Sequence, residues 1–186
     1  MANEAAVSKE SFVQVIEEAI PPALAGCEIG LAVEDGFEVT KWGDEKTCAI
    51  LLLTKEDAKG SSFLSEFVND SFGTTVAVTI DIVQNYPIIL VPEGTWDTLY
   101  LKRVFAHEAV HVSRLKEGIT SEDDIQEETI GYEAQFKLLE EQGFPEPLDG
   151  SDVYENALAF ESELYKEWKE GNLYPYLQEI GYGGGR

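Results

Sequence analysis

The chain contains only two histidines, His107 and His111, and they lie four positions apart. Glu108 follows the first of them, so that residues 107–111 read His-Glu-Ala-Val-His. Two histidines placed at random fall four positions apart in roughly 1% of arrangements, and a glutamate directly after the first lowers this to about 0.15%. On an α-helix, side chains four positions apart lie on the same face, about one turn apart. This spacing therefore predicts a helix whose two imidazoles can bind one ion.

The sequence around the two histidines predicts a helix over residues 97–117. Asp97 or Thr98 can cap its N-terminus, and Gly118 follows its C-terminus, as is typical of helix ends. Five residues close to the histidines in the sequence are uncharged, as a buried helix requires. They are Val104, Phe105, Ala109, Val110 and Val112.

The rest of the chain predicts an α+β fold. A helix is expected over residues 8–20, before Pro21 and Pro22, and a sheet over residues 27–91. Its predicted strands are residues 29–33, 37–42, 48–54, 74–84 and 88–91. The apolar residues 48–54 predict a central strand. The turn at residues 34–36 predicts a hairpin between the first two strands.

Two further helices are predicted after the histidine motif. They cover residues 121–142, with Thr120 or Ser121 as the cap, and residues 151–170. We therefore expect one small domain over residues 1–180, in which a mostly antiparallel sheet packs on the motif helix and further C-terminal helices come after it. Residues 181–186 are expected to form a flexible tail.

The charge of the chain restricts its partners. It has 36 acidic and 13 basic residues, and its formal net charge is -23. Binding to nucleic acid requires a face rich in lysine and arginine, so this class of function is excluded. Adhesion to an anionic membrane surface is excluded for the same reason. An acidic surface would instead attract a basic peptide or protein.

The sequence also predicts a cytoplasmic location. Its longest apolar run, residues 49–53, is far shorter than the ~20 residues that a membrane-spanning helix needs. The first ten residues have neither the basic nor the apolar segment of a secretory signal. In a reducing compartment Cys27 and Cys48 would be free thiols, and a bridge between them is the alternative.

Residues 104–113 resemble the active-site helix of the zincin metallopeptidases, whose signature is His-Glu-x-x-His on a helix beneath a sheet. The resemblance implies that His107 and His111 bind one Zn²⁺ and that Glu108 is the general base on the zinc-bound water. It also implies a peptide or protein substrate. The strand at residues 88–91 would correspond to the edge strand that aligns the substrate backbone in that family.

The third zinc ligand must be a carboxylate, as in the gluzincin branch of this family, because the chain has no third histidine. Glu127, Glu128 and Glu133 are the candidates on the following helix. If the two helices pack antiparallel across a short turn, Glu128 lies level with Ala109, and Glu133 overshoots by roughly 6 Å. Glu133 also falls on the polar side of its helix. We therefore predict Glu128 as the ligand, with Glu127 as an alternative ligand or as a residue that orients one.

Four tyrosines and two arginines are further candidates for the site. Arg103 and Arg114 extend the histidine stripe by a turn on either side, where they could bind a substrate carboxylate, orient an acidic ligand or form ordinary salt bridges. A reaction intermediate also needs a donor to its oxyanion, and the candidates are Tyr132, Tyr154, Tyr165 and Tyr174. We predict Tyr132 as catalytic, because small gluzincins carry an aromatic residue one turn after the carboxylate ligand.

These observations predict a zinc metallopeptidase that binds one Zn²⁺ and hydrolyses peptide bonds. The first alternative is a zincin-like binding module that is catalytically silent or gated by a partner, because few residues come after the motif to build a substrate cleft. The second alternative is an acidic protein that imitates nucleic acid and captures a basic partner.

Overall fold

The computed structural model of the protein describes residues 9–31, 48–53, 77–83, 86–92, 98–119, 123–143 and 152–182. The elements in chain order are α1 (Lys9–Ala19), a 3-10 turn (Pro22–Leu24), β1 (Glu28–Leu31), β2 (Ala49–Leu53), β3 (Val78–Val83), β4 (Tyr86–Pro92), α2 (Thr98–Lys116), α3 (Asp124–Gln142), α4 (Asp152–Lys169) and α5 (Leu173–Glu179). Helices make up most of the described residues. None of these helices is long and apolar enough to cross a lipid bilayer.

The four described strands form one sheet in the order β1-β2-β4-β3. β1 is parallel to β2, β2 is parallel to β4, and β3 is antiparallel to β4. The prediction of a mostly antiparallel sheet is therefore wrong, because a small, mainly parallel sheet lies beside a larger set of helices. The apolar runs at residues 49–53 and 88–91 explain why β2 and β4 pair in parallel. Parallel strands are covered on both faces and need no alternation of polar and apolar residues.

β2 lies inside the sheet, as its apolar sequence predicted. Its Ile50 is opposite Ile29 of β1 on one side and Ile89 of β4 on the other. The strand at residues 88–91 is not an edge strand, because β4 pairs with both β2 and β3. The neighbouring edge of the described sheet is β3. Residues 37–42, and with them the predicted hairpin, lie outside the described residues.

The main hydrophobic core lies between the sheet and the helices α1 and α2. Ile16 of α1, Ile50 of β2, Ile89 of β4 and Phe105 of α2 are completely buried in it. Burying one side chain of this size contributes about 1.5–3 kcal/mol relative to leaving it exposed. This core therefore fixes α2, the helix that carries both histidines, against the sheet.

A second hydrophobic cluster joins α3 to α4 and α5. Its buried aliphatic and phenylalanine side chains are Phe136, Leu139, Leu164, Leu173 and Leu177. α5 begins shortly after Gly171, whose φ of 73° is the left-handed conformation that glycine favours after a helix end. The sequence did not predict α5, whose packing holds the end of α4 against α3.

The beginning of the predicted flexible tail is packed in the structure. Gly181 has a φ of 70°, and the backbone N–H of Tyr182 donates to the carbonyl of Leu177 at 3.0 Å. The ring of Tyr182 lies 5.9 Å from that of Tyr132 and 6.1 Å from that of Phe160, centroid to centroid. Tyr182 therefore belongs to the second cluster, and residues 183–186 lie outside the described residues.

α3 begins later than predicted, and Asp123 caps it. The Asp123 carboxylate accepts hydrogen bonds from the Tyr174 hydroxyl at 2.7 Å and from the backbone N–H of Gln126 at 3.1 Å. These bonds, that of Tyr174 first, lower the pKa of Asp123. Aspartate caps a helix as well as serine does, and its negative charge suits the helix N-terminus. Thr120 and Ser121, the predicted caps, lie outside the described residues.

Cys27 and Cys48 form a disulfide in the structure, where the sequence predicted free thiols. The bridge joins the residues that precede β1 and β2, and their Cα atoms are 4.4 Å apart. It is the alternative that the sequence left open. The cytoplasmic location stays a prediction.

A buried ion pair connects α2 to α4. Arg103 is completely buried and donates to Glu161 twice, from Nε to Oε1 at 3.0 Å and from Nη2 to Oε2 at 2.9 Å. Two glutamines of α3 complete the network. Arg103 Nη1 donates to Gln142 Oε1 at 3.3 Å, and Gln135 Nε2 donates to Glu161 Oε1 at 2.8 Å. Arg103 therefore connects α2, α3 and α4. Of the roles considered for Arg103, the structure shows the salt bridge.

Replacing Arg103 with methionine should destabilise the fold by about 3–5 kcal/mol, because the Glu161 carboxylate would stay buried without its cation. Urea denaturation measures the free energy of unfolding. The double variant Arg103→Met/Glu161→Leu is the control, because it removes both charges and should recover most of the loss. A single variant as stable as wild type would contradict this role of the pair.

Candidate metal centre

α2 presents both histidines towards α3. His107 and His111 are 6% and 5% exposed, and their ring centroids are 4.9 Å apart. Leu101 and Phe105 of the same helix pack into the main core. The spacing of four positions therefore places both rings on one face of one buried helix, as the sequence predicted.

Glu128 of α3 meets both imidazoles. Its Oε2 lies 3.2 Å from Nε2 of His107, and its Oε1 lies 3.6 Å from Nε2 of His111. One ligand atom from each of the three residues lies within 4.8 Å of the other two, and all three residues are buried. Two imidazole nitrogens and one carboxylate oxygen form a donor set that Zn²⁺ binds in proteins. The structure thus brings together the three residues that the sequence predicted as ligands.

The other two candidate carboxylates lie in different surroundings. The Glu133 side chain is 44% exposed and lies 3.9 Å from Nζ of Lys137. Glu127 contacts the other nitrogen of His111, with Oε1 3.1 Å from Nδ1. Nε of Arg114 lies 3.4 Å from Oε2 of Glu127. Glu127 is therefore placed to orient a ligand, and Arg114 is placed to orient Glu127.

The contacts of His111 fit those of a metal-binding imidazole. A carboxylate beside Nδ1 favours the tautomer with its proton on Nδ1 and the lone pair on Nε2. Nε2 of His111 is buried and has no hydrogen-bond partner within the described part of the chain. Buried polar atoms normally have a partner, and a cation bound between His111 and Glu128 would provide one. The residues present therefore fit a zinc ion.

Gly131 allows α3 to approach His107 closely. A Cβ atom at this position would lie 2.8 Å from Nε2 of His107 and 2.9 Å from two carbon atoms of the same ring. These distances are shorter than van der Waals contact, so any side chain here would displace the imidazole. Glu128 precedes Gly131 by about one helical turn, and the same face of α3 therefore carries both the carboxylate and the gap for the ring.

Glu108 is held by the sheet. Its Oε2 accepts a hydrogen bond of 2.6 Å from the hydroxyl of Thr79 on β3. Both residues are buried. The threonine hydroxyl is the donor in this bond. The predicted general base thus has a fixed partner on another element of the fold.

Tyr132 lies beside the candidate metal centre. Its ring meets that of His107 edge-on, with centroids 4.5 Å apart, and its hydroxyl lies 2.8 Å from the hydroxyl of Tyr182. Burial, and then the neighbouring Tyr182, raise the pKa of Tyr132 well above its usual value, so that it keeps its proton. If Tyr182 is the donor in this pair, the proton of Tyr132 can serve a substrate. Its catalytic role stays a prediction.

The remaining tyrosine candidates make other contacts. The Tyr165 hydroxyl donates to Glu140 at 3.2 Å, and the Tyr174 hydroxyl donates to Asp123 at 2.7 Å. Tyr154 belongs to α4, and its side chain lies outside the described part of the structure. Tyr132 is therefore the candidate for which the structure shows contact with a histidine of the centre.

Comparisons of the chain with protein-family models, with curated proteins and with solved structures found no match. The geometry of the candidate centre is therefore the basis for its function. It consists of two buried imidazoles, a buried carboxylate between them and a second carboxylate behind one ring.

Three residues of this region were not predicted from the sequence. Thr79 is a β-branched residue of the kind that strands favour, so it carried no signal. Gly131 lies inside a helix, where alanine is more favourable by roughly 1 kcal/mol. A residue that is locally unfavourable often marks a close approach or a functional site, so Gly131 carried a signal. Glu161 carried none, because acidic residues are abundant throughout this chain.

Replacing Gly131 with alanine should destabilise the protein, although the same change in an ordinary helix interior stabilises it by roughly 1 kcal/mol. The added methyl group would displace the His107 ring and weaken zinc affinity by about 10–100-fold. The melting temperature and a zinc titration test both effects. Ile130→Ala, a change at the exposed neighbouring position, is the matched control and should bind zinc as wild type does. A Gly131→Ala variant that melts higher and keeps its zinc affinity would contradict the close approach.

Proposed function

We propose that the protein is a zinc-dependent metallopeptidase in which His107, His111 and Glu128 bind one Zn²⁺. The observation that carries this proposal is the convergence of the two Nε2 atoms on the Glu128 carboxylate at a buried position. Glu108, which is also buried and follows the first ligand, adds a proton acceptor. The arrangement resembles that of the zincin metallopeptidases at the level of these four residues.

The number of ligands favours a catalytic site over a structural one. Structural zinc sites usually have four protein ligands, whereas catalytic sites have three and leave one position for water or substrate. Among the described residues, the cluster that could hold an ion has three members. Our proposal places water or substrate at the fourth position.

Zinc bound in such a site supplies Lewis acidity, which polarises the scissile carbonyl and makes the attacking water more acidic. Glu108 accepts a proton from that water as its oxygen bonds to the carbonyl carbon. When the C–N bond breaks, Glu108 passes the proton to the leaving amine and becomes a carboxylate again. Each turnover thus consumes one water molecule. Tyr132 is the candidate donor to the oxyanion.

Glu127 and Arg114 support the site from behind. Glu127 orients His111 through Nδ1, and Arg114 forms an ion pair with the other oxygen of Glu127 at 3.4 Å. Partners of this kind fix the tautomer and the ring orientation of a histidine ligand, and their loss typically weakens metal affinity by about 10–100-fold. Arg114 therefore contributes through Glu127.

The proposed substrate is a peptide or an extended protein segment. The net charge of -23 favours the approach of basic segments and disfavours acidic ones. This preference should weaken as the salt concentration rises, because salt screens interactions between exposed charges.

A metal-binding module without catalytic activity is the second candidate, and the burial of the centre favours it. The side chains of His107, His111 and Glu128 are between 3% and 7% exposed, and the Tyr132 hydroxyl already contacts Tyr182. A partner that opens the centre would gate such a module. Both candidates bind zinc, and they differ in whether peptides are cleaved.

We expect wild-type protein to retain one zinc ion per chain after dialysis against a mild chelator, and Glu128→Ala to lose it, because the third ligand is removed. Elemental analysis measures the zinc content. Glu133→Ala is the matched control, since it removes an exposed glutamate from the same helix and should retain zinc. Wild-type protein without zinc would contradict the proposal. Zinc retained by Glu128→Ala would assign the third ligand to another carboxylate.

Glu108→Gln should keep its zinc but lower kcat/KM by about 10²–10⁴-fold, because the amide cannot accept the proton of water. Cleavage of a pool of quenched fluorescent peptides measures this loss. Glu117→Gln, at an exposed position directly after α2, is the control and should cleave as wild type does. A zinc-loaded wild type that cleaves nothing, or an active Glu108→Gln variant, would favour the binding module.

A further inference from the structure

We infer that Thr79 is a positioning residue for Glu108, and that its hydroxyl holds the carboxylate in the orientation from which it accepts the proton of water. The inference rests on the proposed function, because the orientation of a base matters only where there is a reaction. The contact spans 29 positions of sequence and joins β3 to α2. Thr79 would therefore act on catalysis through Glu108 and not by touching the zinc ligands.

Thr79 is itself fixed by the sheet. It lies opposite Ile89 in the antiparallel ladder between β3 and β4. A β-branched side chain has few accessible rotamers, so that the direction of its hydroxyl is set by the backbone. The alternation of the strand places Thr79 on the same face as Ala77, which belongs to the main core. The hydroxyl is thus presented to α2 from a rigid support.

α2 alone offers little to orient the Glu108 carboxylate. Val104 and Val112, one turn before and one turn after Glu108 on the same face, are buried and apolar. The bond from Thr79 is 2.6 Å long and buried, so no water competes for it. It engages Oε2, so that Oε1 is the better acceptor for a proton.

A purely structural role for the same hydrogen bond leads to different results. A buried carboxylate needs donors in place of water, so the bond would stabilise the fold whether or not the protein is an enzyme. If Thr79 also positions Glu108, loss of the bond lowers kcat and leaves KM and zinc content unchanged. Stability and turnover therefore have to be measured in the same variants.

Thr79→Val keeps the branched shape and removes the hydroxyl, and Thr79→Ser keeps the hydroxyl. Both are compared with zinc-loaded wild type on the quenched fluorescent peptide that wild type cleaves fastest. We expect Thr79→Val to lower kcat by about 10–100-fold, since small misplacements of a reacting group have effects of this size. Thr79→Ser should retain most of the activity. Ser162→Ala, which removes an exposed hydroxyl bound to its own helix backbone, is the control and should keep kcat.

The bond itself is tested without catalysis, by a double-mutant cycle on zinc-free protein. Thr79→Val should lower the melting temperature when Glu108 is present and should change it little in a Glu108→Ala background. Equal shifts in the two backgrounds would show that the two side chains are not coupled, and this result would overturn the inference.

The kinetic outcomes separate this inference from the proposed function. If wild type cleaves the peptide and Thr79→Val retains its kcat, the positioning role is wrong and the proposed function stands. If zinc-loaded wild type cleaves no peptide of the pool, the proposed function fails and the role of Thr79 fails with it. A lower kcat with unchanged KM and zinc content, restored by Thr79→Ser, supports both.

Discussion

The close packing of α2 against α3 is the constraint on which the candidate centre depends. The distance between two packed helices is set by the side chains at their contact, and here the contact contains Gly131, which has none. The backbone of α3 therefore meets the ring of His107, and Glu128 reaches both imidazoles from the preceding turn. The two histidines of α2 can share one ion because α3 provides space for a ring at Gly131 and the carboxylate of Glu128 at the same height along the helix.

α2 also shows how buried charge can tie a small fold together. It carries Arg103 one turn before His107. Arg103 forms an ion pair with Glu161 of α4, and His107 contacts the buried carboxylate of Glu128 of α3. Removing an ion from water costs several kcal/mol unless a partner compensates for it. Because these partners come from different helices, α2, α3 and α4 depend on each other. The second hydrophobic cluster stabilises the same arrangement through apolar contacts.

Local periodicity in the sequence was enough to predict the motif helix and the level of its partner. The helix was expected over residues 97–117 and is found at Thr98–Lys116, and helical geometry placed Glu128 level with the histidines. Strand direction was predicted wrongly, because direction depends on connections that periodicity does not describe. Thr79 and Glu161 were missed for a related reason. Their partners lie 29 and 58 positions away, and no local pattern indicates such a pairing.

Both histidines of the protein belong to the candidate metal centre. Every imidazole resonance in a nuclear magnetic resonance spectrum therefore comes from that centre, without background from other sites. A reagent that acylates imidazole has the same two targets among the histidines. Because both rings are buried between α2 and α3, the rate of such a reaction reports how often these helices separate locally. The two histidines therefore report local separation of α2 and α3 without an added label.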